Sequence, residues 1–312
     1  MSTINYLDIS CKIVLKGIEI AKKADPTRNY HSEIRKASEH MSNQWKNQWR
    51  SGEEPKLQYD QAINRLAYVH VQMPANAYVV EQVFSDEKIK EHFKALIKKN
   101  KKVSVCVFGA GPGTEILGIA GWIRQESFLE LCQVDFTLFD VQEQWKSSLE
   151  LSLSTVKQTL EPTGFVVKGT CYLNCDAKAD LRDFQMFDKA KEHDIYIFPY
   201  ILSEIPNNIQ ALTDFARKLA PLMNKGAKLI FIDRYSEYEQ HTILNMRAIM
   251  SGMGGCLLEK KIPHKEIPSN QWSFRNRTDI KQLWDEINWH ARRKINAFYA
   301  IGEKAIIDDI PF

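Results

Sequence analysis

From Val103 onward, short apolar runs alternate with stretches of helical periodicity, and that alternation narrows the possible folds more than any other feature. VSVCVF (103–108), DFTLFD (135–140), FVVKGTCYLNCD (165–176), DIYIFPYI (194–201) and AKLIFID (227–233) read as strands. TEILGIAGWIRQ (114–125), WKSSLELSLSTVKQTL (145–160) and NIQALTDFARKLAPLM (208–223) carry apolar residues at helical spacing. Strands separated by helices of this length imply βαβ units, a parallel sheet and helices on both of its faces. A helix at 241–254, a strand around CLLEKKI, a helix from Thr278 and a last run INAFYAIGEKA follow. Two closing strands fit a seven-stranded, mostly parallel sheet whose last strand inserts antiparallel.

The residues ahead of Val103 read differently. Residues 1 to about 60 are helical and polar, broken by Ser51, Gly52 and Pro55. Apolar residues at helical spacing then run from Tyr59 to Phe84, where Pro74 forces a kink or a new helix start. The expected organisation is an N-terminal helical cap over residues 1–100 and an α/β domain over 101–312.

Bulk properties exclude several classes. At 44% hydrophobic and 26% charged residues the composition is that of an ordinary globular chain. No apolar run reaches the ~18 residues of a membrane span, so no membrane association is expected. MSTINYLDISCKIV lacks a secretory pattern, which makes the cytoplasm the expected location. Of six cysteines only Cys171 and Cys175 lie close together, and no second pair answers them, so no metal site is expected. A net charge of +3 permits nucleic-acid binding without arguing for it.

The chemistry-bearing feature is the turn between the first strand and its helix, VCVFGAGPGTEILG (105–118). Such turns bind nucleotides in open α/β sheets, because glycines admit a ligand to the backbone and helix amides carry partial positive charge. A phosphate-binding P-loop requires Gly-Lys-Ser/Thr, but Gly113 is followed by Thr114 and Glu115. A dinucleotide fingerprint requires a final glycine or alanine where Thr114 stands, and Glu115 would repel a pyrophosphate.

The remaining pattern, Gly109-Ala110-Gly111-Pro112-Gly113, resembles motif I of class I S-adenosylmethionine-dependent methyltransferases. The resemblance implies a Rossmann-like fold and a ligand that carries an ammonium and a sulfonium but no phosphate. It places the cofactor on Gly109, Ala110, Gly111 and Gly113. Asp140, closing the second strand, would take the ribose hydroxyls, and Asp176 the adenine amino group, with Asn174 as its rival; Asp180 and Asp183 are alternatives as helix caps. Motif I usually carries an acid where this chain has Val107, so another carboxylate, Glu115 or Glu204, would have to serve the ammonium.

YVHVQMPANAYVVEQVF (68–84), FGAGPGTE, PYILSEIP (199–206) and FARKLAPLMNKGAKLIFIDRYS (215–236) together are similar to ribosome-associated, ribosomal RNA methyltransferase-like proteins. Their cysteine cluster has no counterpart here. Carried over, Tyr200, Ser203 and Glu204 would face the methyl group and its acceptor, with Glu204 positioning the nucleophile or accepting its proton. Tyr78 either covers the cofactor or is a core aromatic. Phe198-Pro199-Tyr200 imperfectly resembles the corner at which amino-methyltransferases grip a base, with Phe198 where a polar group is needed. Asp233 and Arg234 are a second candidate pair or a surface ion pair.

Methyl transfer from a sulfonium needs little beyond a nucleophile held in line and a route for its proton. The acceptor is expected to be a nitrogen or oxygen, with RNA favoured and a small molecule as the alternative. Bases mix with aromatics in NQWKNQWR and in NQWSFRNRTDIKQLW, a composition that suits phosphates and exposed bases. Trp284 in the second segment equally reads as core. The competing class is a cofactor-binding assembly or interaction factor that does not methylate.

Overall fold

The computed structural model describes residues 4–51, 57–126, 133–160, 166–174, 188–201, 209–234, 247, 256–268, 278–288, 292 and 294–304. Five helices precede the sheet: α1 (Tyr6–Ala24), α2 (Tyr30–Ser51), α3 (Ala62–Val71), α4 (Met73–Phe84) and α5 (Glu87–Asn100). Local chemistry sets their ends. The Asn5 side chain caps α1 by accepting from the Asp8 amide at 3.0 Å, and Asp86 caps α5 through the Lys88 amide at 3.0 Å. Pro74 lies in the first turn of α4, so it starts a helix rather than kinking one.

The α/β part follows as β1 (Lys102–Phe108), α6 (Thr114–Gln125), β2 (Gln133–Asp140), α7 (Trp145–Leu160), β3 (Val166–Asn174), β4 (Ile195–Pro199), α8 (Ile209–Leu219), β5 (Lys228–Arg234), β6 (Cys256–Glu266), α9 (Thr278–Ile287) and β7 (Lys294–Glu303). The strands form one mixed sheet in the order β3-β2-β1-β4-β5-β7-β6. β3, β2, β1, β4 and β5 pair in parallel, and β7 runs antiparallel between β5 and β6. Strand order reverses between β1 and β4. Loops leaving their carboxyl ends therefore diverge and open a crevice, the usual binding position in open α/β sheets.

The two-residue period of the strands divides the interior in two. Val103, Val105 and Val107 of β1, Ile195 and Ile197 of β4, and Ile230 and Ile232 of β5 join one core with α1, α3, α4, α6 and α7. Cys106, Phe108, Tyr196, Phe198, Leu229 and Phe231 join the other, closed by α8 through Phe215, Ala216 and Leu219. The N-terminal helices share the first core with the sheet. α6 is buried from Thr114 to Ile123, and its Gly121 lies so close to Tyr6 that a Cβ there would stand 1.9 Å from the Tyr6 hydroxyl oxygen.

Beneath the carboxyl edge, Phe139, Phe108, Phe198 and Phe231 stack across four adjacent strands at centroid separations of 4.9, 4.9 and 4.8 Å. Phe215 of α8 meets Phe108 edge-on at 5.0 Å. Offset and edge-on rings add to the stabilisation from burial itself. Phe108 stands inside this ladder, so Phe108→Ala is expected to cost about 3–5 kcal/mol in denaturant unfolding, the range for a buried aromatic cut to alanine. A loss below ~1 kcal/mol would show that the ladder does not carry this face.

Candidate functional site

The glycine turn occupies the β1 side of the crevice. Gly109, Gly111 and Gly113 adopt φ of +75°, +48° and +83°. Alternate residues in the left-handed region fold the chain from strand into helix within five positions, a path costly for side chains bearing a Cβ. Both the Gly109 and Ala110 amides donate to the Phe139 carbonyl, at 2.8 and 3.0 Å, and the Gly113 amide donates to the Ala110 carbonyl at 2.9 Å. Space differs along the turn. A Cβ on Gly113 would lie 2.6 Å from Leu149 Cδ1, whereas on Gly111 it would find only Trp145 Cε2, at 3.9 Å. Gly111, itself buried, thus keeps space for a small group beside its backbone, walled by the Trp145 ring.

Asp140, the last residue of β2, ties that turn to the next strand. Its Oδ2 accepts from the Gly111 amide at 2.8 Å and its Oδ1 from the Gln142 amide at 2.9 Å. Burial raises its pKa to about 6 against the opposing pull of backbone amides. Glu115, in the first turn of α6, is more strongly perturbed. It is 3% exposed, and burial, with the nearby Asp140 charge adding to it, raises its pKa to about 8 against a hydrogen bond to its own backbone. Glu115 Oε2 and the adjacent Thr114 Oγ1 are buried with no hydrogen-bond partner.

Tyr200 stands across the crevice, one residue beyond β4. Its φ of +57° is unusual for a bulky side chain, and its amide donates to the Ile232 carbonyl at 2.6 Å. Burial pushes its phenol well above the ordinary value, and Glu115, Asp233, Arg234 and Arg292 all lie within electrostatic reach. The phenol therefore stays protonated at working pH. Phe198, two residues earlier, points to the opposite face and belongs to the aromatic ladder. It is core, not the degenerate member of an acceptor-gripping corner: the pleat alone would put residues two apart on one face, and the left-handed backbone at Tyr200, just past the strand end, is what separates the two rings. Asp233 and Arg234 are also not a surface pair: they are 0% and 5% exposed.

Helices of the N-terminal part bring an aromatic group over this edge. Trp145 meets Tyr59 at 4.9 Å and Tyr68 at 5.5 Å, and Tyr68 meets Trp45 of α2 at 6.4 Å. The Arg234 guanidinium carbon lies 4.6 Å from the Trp45 ring centroid and 5.9 Å from that of Tyr200. A continuous aromatic and guanidinium wall so runs from Gly111 to Tyr200. Sequence reasoning missed Trp145, Tyr59 and Tyr68; the available signal was Trp145 opening the helix after Asp140.

Gly109, Ala110, Gly111, Gly113, Asp140 and Tyr200 converge on the crevice. Asp176, Ser203 and Glu204 lie outside the described residues, as do Asp180 and Asp183. Asn174 ends β3 opposite Asp140 in the register. Tyr78 is 2% exposed inside the first core. Trp45 and Trp284, counted above as possible base-stacking residues, are each 4% exposed and packed among helices. Among the described residues no group of His, Cys, Asp and Glu forms a potential metal site, and no helix is long and apolar enough to cross a membrane.

No protein-family model and no curated protein matches the chain. Among solved structures, an O-methyltransferase family protein from Burkholderia thailandensis is similar at 12% identity, with a TM-score of 0.43 over 86% of this chain and 70% of that one. A SAM-dependent methyltransferase from Methanosarcina mazei shows 10% identity and a TM-score of 0.40, covering 66% of this chain and 93% of its own. A methyltransferase from Pyrococcus furiosus shows 10% identity and a TM-score of 0.37, covering 74% and 98%. Likenesses this distant say nothing of what the present chain binds or transforms.

Proposed function

We propose that the protein is an S-adenosylmethionine-dependent methyltransferase whose cofactor lies across the glycine turn at the β1–β4 switch point. The observation that carries this reading is the unobstructed backbone at Gly111, joined to the buried Asp140 carboxylate and followed by Glu115 instead of a basic residue. The buried Asp140 carboxylate against the turn opposes a phosphate or pyrophosphate, and Glu115 beside it can ionise only when a positively charged ligand group compensates it.

The residues present fit that cofactor. Gly109 to Gly113 offer backbone without side-chain obstruction at Gly111. Both Asp140 oxygens already accept backbone amide hydrogen bonds, and a carboxylate's four lone-pair sites leave capacity for a ribose hydroxyl. When bound, the cofactor supplies a methyl group on a positively charged sulfur that is already a good electrophile. The protein's share is then to hold a nitrogen or oxygen acceptor in line and keep water away. The Tyr200 phenol, protonated at working pH, is suited to donate to the acceptor; buried Trp145 and Trp45 back the wall and exclude water, and the half-buried Tyr59 and Tyr68 rings are suited to pack against a flat molecule. Trp45, Tyr59 and Tyr68 of that wall all precede β1, so we assign acceptor choice to the 1–100 cap.

Burial of Trp45 and Trp284 removes two aromatics on which RNA recognition rested, and it favours a small planar acceptor over RNA. The test is transfer of a labelled methyl group to metabolite extract, total RNA and protein extract. Label in the metabolite fraction, lost in Tyr200→Phe at unchanged cofactor affinity, is the expected outcome. Label in RNA alone would overturn the acceptor assignment. Cofactor binding without transfer to any fraction would favour the assembly-factor reading.

A further inference from the structure

We propose that the Glu115 carboxylate, with the Thr114 hydroxyl beside it, holds the ammonium group of the cofactor's amino-acid portion. The inference rests on the methyltransferase reading and deepens it. The first strand offers no acid to meet that ammonium, since Val107 is 0% exposed and packs in the first core with Val103 and Val105. At the start of the following helix, Glu115 Oε2 and Thr114 Oγ1 are both buried and unpartnered. Buried oxygens in native structures almost always find a partner, so two orphans side by side call for a donor supplied from outside. An ammonium carries three donors and a full charge, and it satisfies both oxygens where water or an alcohol would leave the carboxylate uncompensated.

Position supports the same assignment. Glu115 follows closely on Gly113 and interacts electrostatically with Asp140 at the end of β2 and with Tyr200 beyond β4. It is therefore within reach of both the residue assigned to the ribose and the residue assigned to the acceptor. The amino-acid portion, attached to the same sulfur as the ribose, has to be within reach of both as well.

The groups bearing on Glu115 are its own backbone amide, Asp140 from β2 and Tyr200 from the β4 end. Tyr200 in turn faces Asp233, Arg234 and Arg292. With a pKa of about 8 in the free protein, Glu115 is largely protonated at pH 7. Binding an ammonium requires its ionised form, so a proton leaves to the buffer as the ligand enters. Asp140, at about 6, is already mostly ionised and contributes little.

The experiment is calorimetric titration of the whole protein and of Glu115→Gln with S-adenosylmethionine, S-adenosylhomocysteine and methylthioadenosine, in buffers of different ionisation enthalpy. The last ligand keeps the adenosine and lacks the amino acid. Expected for the unaltered protein is release of close to one proton at pH 7 with the first two ligands and none with the third. Glu115→Gln should weaken the first two by about 10–100-fold, abolish the proton release and leave methylthioadenosine unchanged. Equal affinity of variant and parent for S-adenosylmethionine would overturn the inference, as would equal weakening of methylthioadenosine. Loss confined to S-adenosylmethionine would overturn it in favour of the sulfonium. Failure of the unaltered protein to bind any of the three removes the methyltransferase reading itself, a result distinct from all of these.

Discussion

Asp140→Ala is expected to weaken S-adenosylmethionine binding by at least ~100-fold. The carboxylate accepts from the Gly111 amide at 2.8 Å and the Gln142 amide at 2.9 Å, so it fixes the turn, and in the proposed reading it also takes the ribose hydroxyls. Hydrogen bonds to a charged group contribute roughly 1.5–3 kcal/mol each, and every ~1.4 kcal/mol is tenfold in affinity. Losing two such bonds to a ligand reaches the stated effect before any disorder in the turn is counted. Asp140→Asn is the informative companion. It keeps one acceptor oxygen for Gly111 or Gln142 but not for both, and should fall between parent and alanine variant. Calorimetric titration with S-adenosylmethionine measures all three, and an alanine variant that binds like the parent would remove Asp140 from the site.

The ligand-free protein should lose stability as pH rises from about 4 to about 8. Glu115, raised by burial from 4.5 to about 8, and Asp140, raised by burial from 3.8 to about 6, both ionise in the unfolded chain before they do so in the folded one. Across that window the folded state binds more protons, so unfolding becomes more favourable with rising pH. Their contribution is fully present below the unfolded values; that of Asp140 is lost as pH passes about 6 and that of Glu115 as it passes about 8. Glu115→Gln, neutral throughout, should flatten the upper part of the curve and be the more stable protein at pH 8 by roughly 3–5 kcal/mol. Urea unfolding between pH 4 and 8.5 reads this directly. Parallel decline of parent and variant would mean that Glu115 is not the strained acid. A binding residue whose removal stabilises the empty protein is what a site prepared for a cation should show.

Much of the fold was legible because its signals are local. The apolar runs 103–108, 135–140 and 227–233 are each too short for a helix and coincide with β1, β2 and β5. Gly109, Gly111 and Gly113 declared a turn because the left-handed backbone there penalises any other residue. Asp140 was legible for a related reason: a carboxylate closing the second strand of such a unit sits beside the first turn. Val107 was visible as a departure, and Glu115 as one of the two acids weighed in its place.

Elsewhere local pattern misled. Phe198-Pro199-Tyr200 looked like one corner, yet the pleat sends Phe198 into the aromatic ladder while Tyr200, beyond the strand end, turns into the crevice. Trp45 sits among charges along its helix yet is buried, and Trp284 takes the core option left open for it; a mixed composition does not say which side of a helix a neighbour covers.

Strand and helix order, the position of the glycine turn and the acid at the end of β2 follow from local pattern, since each depends on side chains within one turn or one strand. Only the tertiary structure decided that Glu115 and Thr114 are buried without partners, that Asp233 and Arg234 are inside, and that Trp45, Tyr59, Tyr68 and Trp145 meet over the crevice. Those facts depend on contacts between segments far apart in the chain, where burial and partnership are properties of the packed arrangement and no short stretch of sequence carries them.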